Sequence, residues 1–512
     1  MARYKEYSYA QGKFISIHFD NQILPNTFEY TLNYLIDNEI DLSMFEKRYN
    51  NDETGAPAYD PAILLKIVLF AYSRGIVSSR KIARCCCENT VFMALSADTR
   101  PHFTTIADFV SSMEDEVILL FRDVLLYCDE IGLIGKEMFA IDGCRLPSNA
   151  SKEWSGTKEE FKKKQKKMER AIKRILKKHK DLDTTAHTSD IIDNDTKYIE
   201  TLKKQIKKLK TWMKDNDDKQ GKAGPIKSNI TDNESAKIKS GHGVIQGYDG
   251  IVSADSKHQV IAAAVAYGES QEHDLLKPMI EDTRDNLKRT DSDDDVFDKA
   301  SLTADAGFHT EANMKMLADE EIDAYVADRF FRKRDPRFID AKRYKEIERV
   351  RNGKPARKFT PEDFKFDKDF KYCICPSGER LNRTGDKVII RGVEGIRFLG
   401  KKSFCTPCQL RSQCLLNPDK TSFRQVYYFT GKTKGGKDTY TQMMKNKIDS
   451  DQGRLAYSKR IGTVEPVFAN IRHALGLDRF TLRGKNKVNI QWKLYCIVHN
   501  LLKIHRYGPG LT

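Results

Sequence analysis

Apolar positions between residues 60 and 130 recur at helical spacing. Pro61 suits a first turn, and Ile63, Leu64, Ile67, Val68 and the run Phe70 to Tyr72 form one broad stripe. Beyond it, "SSRKIARCCCENTVFMAL" and "PHFTTIADFVSSM" each open on a polar, cap-like start before an apolar period. This predicts short successive helices of the helix-turn-helix kind, a pattern that bundles without DNA share with DNA readers. From Gly156 to Gly224 the chain turns to Lys, Glu, Asp and Gln, with two sparse apolar rows. Phe161, Met168, Ile172, Ile175 and Leu182 form the first, and Ile199, Leu202, Ile206, Leu209 and Met213 the second. Their heptad-like steps, separated by the polar "DLDTTAHTSDIIDND", predict an antiparallel helical hairpin whose lysines could touch DNA backbone, although a solvated coiled-coil face is the expected role for most of them. The next stretch, "GVIQGYDGIVSADSKHQVIAAAVAYGES", is rich in β-branched and small residues. With turn signals at Gly247 to Gly250 and at Ser256-Lys257 it predicts consecutive antiparallel strands. "EMFAIDG" and "ASLTADAGF" are predicted companion strands, each ending in Asp and then a small residue, so the central domain is α/β. Near the end, "RGKNKVNIQWKLYCIVHNLLKI" is predicted as an amphipathic closing helix.

Length and charge narrow this picture. At 512 residues the chain has room for about three domains. Its 88 Lys and Arg against 73 Asp and Glu give a net +15, which suits a polyanionic partner and also a merely soluble basic protein. No apolar core follows "MARYKEYSYAQGKF", and "AILLKIVLF" and "VIAAAVAY" are too short to span a bilayer. A soluble, cytoplasmic chain with no membrane partner is expected. Eleven cysteines read as reduced thiols. Three in a row, Cys85 to Cys87, cannot face one metal from a helix, so packing is their expected role. By contrast "CICPSGERL" and "FCTPCQLRSQC" offer a C-x2-C at Cys405 and Cys408, Cys414, and one of Cys373 and Cys375. With Cys375 preferred, these make a four-thiolate set for a structural Zn²⁺. The basic, aromatic "DRFFRKRDPR" reads either as a segment that tracks a strand of DNA or as a solvated loop.

Three carboxylates stand apart. Asp142 lies in "FAIDGCRLPSNAS", where an apolar strand is expected to deliver it to a glycine turn, and Asp305 in "LTADAGF" repeats the arrangement. Glu465 borders a helical face of Val464, Phe468, Ile471 and Leu475. Singly, each reads as a cap, a turn or a surface ion pair. Jointly they suit Mg²⁺ or Mn²⁺, hard cations that take oxygen ligands. Two such ions about 3.5–4 Å apart hold the attacking and leaving oxygens of a displacement at phosphorus.

The order "AIDG", "ADAGF" and Tyr457, Arg460, Glu465, Arg472 resembles the DDE-type insertion-sequence transposases, whose catalytic helix carries a Tyr-Arg-Glu-Lys signature. The resemblance extends to "YDPAILLKIVLFAYSRGIVSSRKI", "PHFTTIADF", "SNITDNES" and "CPSGERL…CTPC", and so covers most of residues 20 to 505. Two departures stand out: the step from Arg460 to Glu465 is one residue longer than the signature, and Arg472 stands where lysine is usual. The resemblance implies an α/β RNase H-like catalytic domain built from 131–156, 225–324 and 451–512. Around it would lie a helical N-terminal, DNA-binding domain (1–130), the inserted hairpin (157–224) and a Cys-rich, strand-containing insertion (325–450). It implies Asp142, Asp305 and Glu465 as catalytic metal ligands, and Tyr457, Arg460 and Arg472 as contacts to DNA beside the cut. Lys485 and Lys487 are added from their position as phosphate contacts, and Tyr457 reads equally as core. The implied activity is cleavage at the terminal repeats of an element and joining to target DNA, with a homodimer suited to pairing two ends. A structure-specific nuclease or resolvase, and a silent DNA-binding descendant, are the alternatives.

Overall fold

The stripe after Pro61 becomes a helix, Pro61–Ser73, for local reasons. The Asp60 carboxylate accepts the Ala62 N–H at 2.8 Å, and Pro61 fills a first-turn position that needs no N–H. The computed structural model describes residues 16–49, 57–182, 189–221, 224–240, 243–269, 271–288, 295–338, 351, 353, 357–390, 392–433 and 436–509. The opening "MARYKEYSYAQGKF", the centre of the predicted hairpin turn (183–188) and the side chain of Leu182 lie outside them. The chain divides into two compact units, the first from Met1–Gln271, Pro278–Lys299 and Ile461–Thr512, the second from Glu272–Lys277 and Ala300–Arg460. A helical N-terminal region precedes a mixed α/β remainder.

In the first unit the strand Met138–Pro147 pairs antiparallel with the long strand Gly243–Asp255, setting Asp142 opposite Val252 and Arg145 opposite Asp249. The far edge of the long strand takes Ala236–Ser240 along its first half and Ile261–Tyr267 along its second. The C-terminal helix, Lys485–Tyr507, covers what would be an open edge. Asn500 bonds both the N–H and C=O of Ile261, Asn489 does the same for Ala266, and Lys493 donates to the Ala264 carbonyl at 2.9 Å. This helix is not amphipathic as its sequence suggests, since Ile490 through Leu501 are all buried. Its other side meets the helices Phe28–Asn38, Pro61–Ser73 and Glu116–Glu130, with Tyr72 and Tyr495 rings 5.0 Å apart. The polar residues that mimic a wet face are interior groups with partners.

His499 is one of them. It is 1% exposed, its Nε2–H donates to the Gln259 carbonyl, its Nδ1 accepts from Asn470, and burial holds its pKa down to about 4. An unfolded imidazole near 6.5 binds its proton first as pH falls. Stability is therefore full above pH 6.5 and declines toward pH 4, by about 3 kcal/mol from this residue. Denaturant melts of wild type and His499→Gln across that window are expected to converge as pH drops. Parallel curves would contradict the account.

Three glycines that read as turn signals are strand residues placed by close approach. Gly143 lies within its strand, where a Cβ would stand 2.7 Å from the Asp249 carboxylate. On the long strand, a Cβ at Gly247 would stand 2.1 Å from the Leu146 carbonyl oxygen and one at Gly250 3.0 Å from the Trp492 ring. The predicted turn at Gly247 to Gly250 is thus a continuous strand, and the reversal comes only at Ser256 to His258. Gly247→Ala meets rigid backbone and is expected to cost about 3 kcal/mol in chemical denaturation. A cost under about 1 kcal/mol would rule out the close contact.

The two apolar rows fall in the helices Lys158–Leu182 and Ser189–Asp215, which pack together. Phe161, Leu209, Trp212 and Ile230 form the core at their base, with Phe161 edge-on to Trp212 at 5.0 Å.

In the second unit, Ser301–Ala304 and Ala324–Val326 pair in parallel, joined through the helix Glu311–Asp319. A separate antiparallel sheet runs Lys365–Phe366, Tyr372–Ile374, Arg380–Ile390, Val393–Leu399 and Gln425–Thr433 around Phe364, Cys373, Leu381, Ile396, Phe398 and Val426. Much of the charge in "DRFFRKRDPR" is consumed internally. Arg334 pairs with Asp328 at 2.6 Å and Asp449 at 2.5 Å, and Arg337 with Asp335 at 2.7 Å.

Candidate active site and cysteine cluster

Asp142 sits in the middle of its strand, half-buried, and accepts the Gly143 N–H at 2.8 Å. The strand runs on to Pro147, so the expected glycine turn is absent at this residue; Gly143 is small because Asp249 occupies the space beside it. Next to Asp142, Cys144 is buried. Burial first, and then the Asp249 carboxylate, push its thiol far above the usual range, while Arg472 pulls it down and Asp142 adds to the rise. Asp142 and Arg472 therefore act on the same buried sulfur, which puts the strand and the Arg472 segment in one electrostatic neighbourhood.

Glu465 is exposed on the helix Asp451–Ala469, beside buried Val464 and Val467, with Phe468 partly buried and Ile471 and Leu475 buried further along. Pro466 follows it inside the helix and removes the N–H that would bond to the Gly462 carbonyl. The helix then widens into a π turn, Asn470–Ala474, which carries Arg472 outward. Irregularities of this type recur where a helix presents functional side chains. Lys485 and Lys487 are exposed in the first turn of the C-terminal helix.

In the second unit Asp305 follows the last strand residue, Ala304, and stands at the N-cap position of a short 3-10 turn, Ala306–Phe308, with no capping bond from its side chain. Its Oδ1 lies 3.8 Å from Arg460 Nη2, with the carboxylate 44% exposed and the arginine side chain 10% exposed. The guanidinium stands 5.5 Å from the centre of the Tyr457 ring, which meets Phe331 edge-on at 5.1 Å. Asp305, Arg460 and Tyr457 are thus brought together, and Tyr457 is half-buried against an aromatic neighbour.

Cys375, Cys405, Cys408 and Cys414 line one cavity of about 30 Å³ in the second unit, and the other three all act on the Cys414 thiol, which burial raises. Cys373 faces the apolar core instead and is fully buried. Gly378, with φ +88°, closes the "CPSG" turn through its N–H to the Cys375 carbonyl at 2.9 Å. Two arginines that sequence reasoning overlooked brace the cluster. Arg411 donates to the carbonyls of Cys405, Pro418, Thr421 and Ser422, and Arg424 to those of Cys414 and Phe359. Among the described residues no three His, Cys, Asp or Glu side chains already stand in metal-ligating positions. Also overlooked was Asp249, whose only signal was a carboxylate between glycines in "GYDG".

A family model described as Transposase DDE domain matches residues 374–505, and one described as Transposase domain (DUF772) matches residues 17–112. The first match spans the cysteine cluster and the Glu465 helix, the second the N-terminal helices; Asp142 and Asp305 fall outside both. No curated protein matches the chain. Both matches are to transposase families, and together they support an insertion-sequence DDE transposase. That family acts on DNA and generally uses divalent metals. Among the described residues no helix is long and apolar enough to cross a membrane.

Proposed function

We propose that the protein cuts DNA at the ends of an insertion sequence and joins the freed ends to target DNA, using Asp142, Asp305 and Glu465 in an RNase H-like core. The observation that carries this reading is the transposase match across the helix that presents Glu465, together with one acidic residue within a strand and another just past the end of a second strand. The three donors are carboxylates open to solvent in part or in full, a set that suits Mg²⁺ or Mn²⁺. Bound there, the cation supplies charge for the phosphoryl oxygens and lowers the pKa of an attacking water or 3′-hydroxyl. The protein's own residues orient the strand. Arg460 keeps Asp305 directed and offers a guanidinium fork, Tyr457 offers a ring face, and Arg472, Lys485 and Lys487 offer charge to phosphates beside the cut. Cys375, Cys405, Cys408 and Cys414 are the proposed ligands of a structural Zn²⁺, whose small cavity and braced turns suit a closed four-thiolate site. A homodimer forms when two element ends are paired.

End-labelled duplex carrying the repeats that flank the gene, incubated with protein and Mg²⁺ or Mn²⁺, tests the proposal. Cleavage at the repeat boundary followed by joined products is the expected result. Binding with no metal-dependent cutting would overturn it.

A further inference from the structure

The chain's positive charge is concentrated in the hairpin. The helices Lys158–Leu182 and Ser189–Asp215 hold nineteen Lys and Arg against nine Asp and Glu, a net +10 out of +15 for the whole chain. The placement is uneven within them. No acid falls between Thr201 and Lys214, a stretch with six lysines, nor between Arg170 and Lys180. Leu202, Ile206, Leu209 and Trp212 turn inward, while Lys203, Lys204, Lys207, Lys208, Lys210 and Lys214 are exposed. A solvated coiled-coil face would intersperse acids to hold its lysines, as Glu159 holds Lys163 and Asp193 holds Lys197. Here, among the described residues, Lys204 and Lys207 have no carboxylate partner, and Lys208 reaches only the Thr231 hydroxyl.

These three lysines border a groove of about 460 Å³, with Thr211, Trp212 and Asn216 along its wall. Trp212 is buried, 7% exposed, and its indole N–H has no acceptor among the described residues. Asp215 lines the groove as well and is its one acid. A helix of 25 residues is about 37 Å long, close to the roughly 34 Å of one duplex turn.

We infer that the hairpin is a DNA-holding arm: the groove bordered by Lys204, Lys207 and Lys208 takes the sugar-phosphate backbone of double-stranded DNA, away from the nucleotides that are cut. The inference rests on the transposase reading and adds a second contact to it. Lysine suits this work as a point charge that follows phosphate without reading sequence.

Binding of the full chain to a duplex of about 30 bp, with and without element ends, is measured from about 50 to 200 mM salt. The comparison is with the triple variant Lys204→Gln, Lys207→Gln, Lys208→Gln. Its slope of log affinity against log salt is expected to be shallower by about 2–3, with affinity at low salt about tenfold or more weaker. Unchanged circular dichroism is expected, since all three side chains are exposed. A second triple, Lys365→Gln, Lys368→Gln, Lys371→Gln, removes the same charge elsewhere and is expected to change the slope far less. Wild-type binding with an unchanged slope in the first variant would overturn the arm and leave the transposase reading intact. Equal losses in both triples would reduce the effect to net charge and also overturn it, as would hairpin-dependent binding of single-stranded RNA in preference to duplex. A wild type that binds no duplex at all would overturn both readings.

Discussion

Asp142→Ala, Asp305→Ala and Glu465→Ala are each expected to abolish metal-dependent cleavage, by roughly a thousandfold or more, while duplex binding stays within about twofold of wild type. Losing one ligand of the reacting cation removes several kcal/mol of stabilisation for charge developing at phosphorus, and about 4 kcal/mol is about a thousandfold in rate. Folding is spared because the side chains are exposed or half-buried, and none fills the core. Asp305→Ala carries one side effect: it leaves Arg460, 90% buried by its side chain, without the carboxylate at 3.8 Å. A modest loss of stability is expected there and not in Glu465→Ala. Cleavage assays on labelled element ends, run beside binding and thermal melts, separate these effects. Wild-type cleavage rates in all three variants would mean that the site lies elsewhere.

Removing the zinc proposed for the cysteine cluster is expected to have the next largest effect, on folding. The five-stranded sheet of the second unit has a small apolar core, and the segment carrying Cys405, Cys408 and Cys414 is braced within itself by Arg411 donating to carbonyls and tied to the start of the strand Gln425–Thr433 by Arg424 donating to the Cys414 carbonyl. A four-thiolate zinc adds folding energy to such a segment. Cys408→Ser is expected to lose bound zinc, as read by elemental analysis, and to destabilise the protein by at least about 4 kcal/mol. Cys373→Ala is expected to keep full zinc content, because that side chain packs against Leu381 and Phe398 in the core. Wild-type protein purified without zinc, and melting unchanged after chelator treatment, would eliminate the site and leave four reduced thiols.

Much of this was readable from residue order. The stripe after Pro61, the apolar rows of the two long helices and the strands around Asp142 and Asp305 all lie in elements of the kind their periodicity implied, since a buried stripe repeats at the period of its element whatever packs on it. The glycines were misread for the opposite reason. A turn and a close approach both exclude a side chain, and residue type does not say which applies; the Leu146 carbonyl, the Trp492 ring and the Asp249 carboxylate, each brought in by pairing or packing, decide it. The C-terminal helix misled in the same way. Asn489, Lys493 and Asn500 spell a wet face in sequence and are bonded to the backbone of a neighbouring strand in the fold.

The sequence by itself determined the class of protein, the acidic residues worth testing, and the concentration of positive charge in the hairpin, because these depend on residue chemistry and local order. Only the tertiary structure decided that Asp142 lies mid-strand with the buried Asp249 against the neighbouring Gly143, that Cys375 and not Cys373 faces the other thiols, and that Arg460 reaches Asp305. Each of these joins residues far apart in the chain, or sets the face on which a side chain emerges, and both follow from strand register and packing.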